Sequence, residues 1–165
     1  MAPRRTSRWQ VGLIIIALVA AHFYLRPWLG DSRASPDFLL LALLLVAIRS
    51  RPGVAAVVGF VVGIMADSLT PARFGAGALS HTVVGYLAAW GRAVFFPDNL
   101  LVNAGLFAGG TWVRTLILLG ASGVSGSELV GTMVVWAPIQ AVTTAIVGVV
   151  VVIVFRDSLA IRLEE

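Results

Sequence analysis

"GIMADSLTPARFGAG", residues 63–77, sets a carboxylate, a proline, a cation and three glycines into fifteen positions of an otherwise apolar stretch. Upstream, Gly59, Gly63 and Asp67 stand at i, i+4 and i+8, so they share one face of a helix. Small residues at that spacing let a second helix approach closely, as apolar helices do in lipid. Downstream, Thr70 and Pro71 give a cap followed by proline, which reads as the restart of a helix. The stretch is therefore expected to be a tight turn between two close-packed helices.

The rest of the chain supports a membrane setting. Of 165 residues only 12% are charged and 59% are hydrophobic, against about 25% charged in an ordinary soluble domain. The apolar residues run in blocks instead of alternating with polar ones, the pattern of membrane spans. Six spans are expected, near 9–28, 35–48, 53–69, 71–90, 100–119 and 129–155, forming one integral membrane domain over 1–165. The first has a basic opening that imitates a secretory signal, but five apolar runs follow it, so it reads as an anchor. The second opens on Ser35, Pro36 and Asp37, a helix-start pattern. Spans two and three are short for a hydrocarbon core of about 30 Å, so five spans is the alternative count. Span six is long, and a tilt or bend is expected near Pro138.

All basic residues are arginines, scattered one or two per connector, so no basic face for nucleic acid exists. They read as topology markers. With the N-terminus inside, Arg4, Arg5, Arg8, Arg49, Arg51, Arg92, Arg156 and Arg162 fall on the inner side, while Arg26, Arg33 and Arg73 fall on the outer side. That excess places both termini in the cytoplasm. Without cysteine, and with His22 and His81 far apart, no metal site or thiol chemistry is expected. The connectors are too short to hold a soluble catalytic domain.

Several polar residues fall inside spans, including Ser80, His81, Asn103, Gln140, Thr143 and Thr144, where they are expected to face the bundle and find partners. Ser80 and His81 are adjacent and so point about 100° apart on a helix, which does not make a nucleophile–base pair. No catalytic, cofactor or metal residue is expected. Asp67 lies at the C-terminal end of its own helix, where a carboxylate is disfavoured. It is expected to pair with Arg73 or with Arg114, which lies within span five near the same end; the alternative is that both arginines extend separately to the lipid phosphates.

Residues 36–90, "PDFLLLALLLVAIRSRPGVAAVVGFVVGIMADSLTPARFGAGALSHTVVGYLAAW", resemble the family of the rod shape-determining protein MreD. A proline-led apolar helix precedes a "GFxxGxxxD" segment, then a glycine-containing turn leads into a "GxxALSxTxxGY"-like helix. The matching positions are Pro36, Gly59, Gly63, Asp67, Gly75, Ser80 and Gly85, while the turn carrying Arg73 is more basic than the family pattern. The resemblance implies a non-enzymatic inner-membrane scaffold of the bacterial cell-elongation machinery, without cofactor, that supports rod shape and lateral peptidoglycan synthesis. It implies binding to an MreC-like single-span protein, and contact with the MreB filament, the RodA glycosyltransferase and a class B penicillin-binding protein. It also implies an all-α membrane bundle similar to the substrate-binding subunits of energy-coupling-factor transporters. Such a vitamin-binding subunit is the alternative function, disfavoured by the sparse polar set near Gln140.

Overall fold

The computed structural model describes residues 8–30, 33–94 and 99–155, and every regular element among them is helical. The helices are α1 (Arg8–Tyr24), α2 (Phe38–Ala47), α3 (Pro52–Ser68), α4 (Ala76–Val94), α5 (Leu100–Ala121), α6 (Gly126–Gly131) and α7 (Ala137–Val154). A π turn, Thr132–Trp136, joins the last two into one 29-residue helix, Gly126–Val154. Short 3₁₀ turns occupy Arg26–Trp28 and Pro71–Arg73. Arg4, Arg5, Arg156 and Arg162 lie outside the described residues.

The surface is inverted relative to a protein that folds in water. Trp9, Ile16, Val57, Leu101, Val134 and Ile146 are exposed, whereas His22, Asp37, Asp67, His81, Asn103 and Gln140 are buried. Polar groups face inward, where they pair, and the apolar exterior suits acyl chains. The helices Leu100–Ala121 and Gly126–Val154 are long and apolar enough to cross a membrane.

The centre of the molecule is α2. Its sequence FLLLALLLVA is apolar on every side, so no face can be turned to water, and Leu39 to Leu44 are almost wholly inaccessible. It packs against α1, α3, α4, α5 and α7. With ten residues it rises only about 15 Å, half the thickness expected of a full span. The expected second span over 35–48 is thus a short interior helix with a non-helical lead-in at residues 33–37.

The strongest packing is between α3 and α4. Gly59 abuts the backbone of His81 and Thr82, Gly63 the backbone of Gly77 and Ala78, and Gly85 the carbonyl of Ala55. A Cβ at any of the three would collide with main chain, which cannot swing aside. The glycine face read from the sequence is therefore consumed inside the chain.

Two boundaries differ from expectation. Residues 71–75 do not begin α4: Pro71 opens a 3₁₀ turn, Thr70 makes no side-chain cap, and the helix starts only at Ala76 after Gly75 takes a φ of 96°. The last span begins at Gly126 instead of 129, and its irregularity is the π turn preceding Pro138. Proline has no N–H to bond back along the helix, and Ala137 N–H reaches Thr132, five residues back.

Candidate functional site

Asp67 decides how α3 connects to α4. Its Oδ1 accepts from Gly77 N–H at 2.8 Å, and its Oδ2 accepts from Gly75 and Ala78 N–H, both at 2.9 Å. The first turn of any helix leaves N–H groups without intrahelical partners. Here a carboxylate from the preceding helix satisfies three of them and meets the positive end of the α4 dipole. Gly77 must be glycine because a Cβ there would meet the Asp67 carboxyl group.

The expected pairing of Asp67 with Arg73 or Arg114 is not what the structure has. Both Asp67 oxygens are occupied by backbone donors, and Arg114 Nη2 instead lies 3.4 Å from Asp37 Oδ2. Arg73 sits exposed in the 3₁₀ turn. The physical reason is that α4 starts late, which brings its unpaired amides down onto Asp67 before any side-chain cation can reach it.

A second polar cluster holds the start of α2. Asp37 caps that helix, its Oδ1 accepting from Leu40 N–H at 3.1 Å, and it is wholly buried. His22, from the end of α1, accepts from Leu39 N–H at its Nδ1, 3.3 Å away, and the same nitrogen is 3.6 Å from Asp37 Oδ1. From α7, Gln140 donates to the Ser35 carbonyl at 3.1 Å and Thr143 to the Ala34 carbonyl at 2.9 Å, while Thr144 Oγ1 accepts from Asp37 N–H at 3.1 Å. Each bond satisfies a backbone group in a stretch with no helical ladder of its own. Without water, such groups cost several kcal/mol each when left unpaired.

The remaining expected site residues play structural parts. Ser80 Oγ donates to the Gly77 carbonyl at 3.0 Å, and His81 Nδ1 is 2.8 Å from the same oxygen, so the ring donates from Nδ1. This leaves His81 Nε2 buried with no partner among the described residues. The Ser80 hydroxyl lies 3.5 Å from His81 Nδ1, the nitrogen already committed to Gly77. Gly75 supplies the left-handed residue at the turn. Sequence reading missed His22 and the central place of Asp37; the signal was a carboxylate directly abutting a run of apolar residues with no polar face.

These clusters border one cavity of about 460 Å³. It opens at the end of the bundle where α3 and α5 finish and α4 and α6 begin. Arg26, Arg33, Arg73 and Arg114 line it, with Asp67, Glu128 and Gln140. Three other grooves among the described residues are apolar. One between α5 and α7 measures about 420 Å³ and is walled by Ala104, Gly105, Ala108, Val142, Ala145 and Ile146 among others. A smaller one of about 190 Å³ between α4 and α5 includes Gly105, Gly109 and Gly110.

No curated protein and no solved structure matches the chain significantly. A family model described as rod shape-determining protein MreD does match, over residues 3–158. That range takes in every described helix, including the Asp67-capped turn and the interior helix α2. An apolar exterior over buried polar groups and a match over nearly the whole length thus agree: the chain belongs to the MreD family of cell-shape-determining membrane proteins.

Proposed function

We propose that the protein is a non-enzymatic scaffold of the bacterial cell-elongation machinery, seated in the inner membrane with both termini cytoplasmic. In this reading it crosses six times, the second crossing being the buried lead-in at 33–37 followed by α2. It supports lateral peptidoglycan synthesis by holding an MreC-like single-span partner. The MreB filament, RodA and a class B penicillin-binding protein join through the same assembly.

The carrying observation is which glycines are spent and which are open. Gly59, Gly63 and Gly85 are filled by the chain's own backbone, whereas a Cβ at Gly105 or Gly109 would meet nothing within 4 Å. These two stand one turn apart on α5 beside apolar grooves, the surface that a single apolar helix packs into.

The test is a pair of leucine substitutions. Gly109→Leu is expected to lose co-purification of the MreC-like partner by roughly tenfold, for a loss of about 1.4 kcal/mol, while the melting temperature of the purified protein stays unchanged. Gly63→Leu is expected to lower that melting temperature sharply through its clash with α4. Partner recovery that survives both Gly105→Leu and Gly109→Leu would rule this face out.

A further inference from the structure

At the end of the bundle opposite the Asp67 turn, where α2 and α4 finish and α3 and α5 begin, two arginines stand together. Arg49 lies in the turn after α2 and Arg92 in the last turn of α4, and both are half-buried. Burial, and then the positive charge of Arg92, push the Arg49 pKa down from its usual value. Two like charges held close together and partly out of water repel, and an anion between them relieves that cost. The ion pairs among the described residues join Asp37 to His22 and to Arg114, so no described carboxylate answers either of these arginines.

An apolar cavity of about 280 Å³ adjoins them, lined by Ile48, Gly91, Arg92, Val102 and Leu106 among others. Through Gly105 and Leu106, which border both, it continues into the groove between α4 and α5 that reaches Val84 and Val113. From Val102 to Val113 the joined groove follows α5 for about 16 Å at helical rise, close to half of a hydrocarbon core of about 30 Å. It therefore has the depth of one leaflet. Its floor is bare, since a Cβ at Gly91, Gly105 or Gly109 would meet nothing within 4 Å. At its mouth the first turn of α5, a 22-residue helix, sets the positive end of a dipole beside Arg92.

We propose that an anionic phospholipid of the leaflet at that end is seated here, its phosphate held between Arg92 and Arg49 and one acyl chain laid along the α4–α5 groove. Guanidinium groups match phosphate oxygens, and basic pockets between membrane helices hold anionic headgroups. A soluble anion would leave the apolar length bare, and an apolar partner helix would leave the two arginines unanswered. The groove between α5 and α7, on the other side of Gly105, stays open to the helix docking described above. Lipid and partner helix therefore stand or fall separately.

The experiment places the full chain in nanodiscs of equal phosphatidylglycerol and phosphatidylcholine with the same acyl chains, releases it into mild detergent, and reads the lipid it retains by native mass spectrometry. Phosphatidylglycerol is expected to be retained in preference to phosphatidylcholine. Arg92→Gln and Arg49→Gln are each expected to lower that preference roughly fivefold, the weight of one basic group against an anionic lipid. Gly91→Leu fills the cavity and lowers retention of both lipids. Arg73→Gln, exposed at the opposite end of the bundle, removes the same net charge and leaves the preference unchanged. Melting in phosphatidylcholine alone screens each variant, and if Arg92→Gln melts early, Arg49→Gln and Gly91→Leu decide. The proposal is overturned if the two lipids are retained equally, if Arg73→Gln acts as strongly as the arginine variants at the site, or if those variants and Gly91→Leu hold lipid as the parent does.

Discussion

Replacing Asp67 by alanine would strip the acceptors from the N–H groups of Gly75, Gly77 and Ala78 at once. A buried unsatisfied donor costs about 1–3 kcal/mol, so Asp67→Ala is expected to destabilise the fold by about 3 kcal/mol, allowing for water entering from the adjoining cavity. Asp67→Asn keeps one oxygen and loses the charge, so roughly half that loss is expected. Reversible unfolding in mixed detergent would measure both; an alanine variant as stable as the parent would refute the capping role. That Asp67 matters was legible in its position at the end of a glycine-spaced helix. Its partner was not, because the choice between a cation and three amides depends on where α4 starts. Thr70 and Pro71 carry helix-start chemistry, yet Pro71 opens only a 3₁₀ turn.

At the scale of elements, the decisive one is α2, a helix too short to cross a bilayer and enclosed on every side. Its lead-in is pinned by the polar face of α7, with Gln140, Thr143 and Thr144 each taking one backbone group. Gln140→Leu leaves the Ser35 carbonyl without that donor and is expected to cost about 1–2 kcal/mol. The same unfolding assay checks it, and a Gln140→Leu protein of undiminished stability would show that the lead-in is held by other means. That α2 is apolar all round is visible in FLLLALLLVA. That it is interior follows only once five other helices close over it, since a lipid-facing span and a protein-facing helix share one composition.

At the scale of the whole molecule, the turn at Ser50 precedes α3 and the Phe74 turn follows it, so the two fall at opposite ends of that helix. The chain has no cysteine, which makes single-cysteine labelling clean. Phe74→Cys is expected to react with a membrane-impermeant maleimide in intact cells, and Ser50→Cys only after lysis. Reaction of both from outside would overturn the orientation inferred from the arginines. The sequence by itself determined the solvent: apolar blocks, sparse charge and small residues at helical spacing allow little except helices packed in lipid, because composition fixes which surfaces can face water or acyl chains. Only the tertiary structure decided which polar group answers which. Asp37, Asp67, His22, Gln140 and Arg114 sit far apart along the chain, and in a low-dielectric interior each bonds to whatever donor or acceptor the packing of the glycine-lined helices brings within about 3 Å.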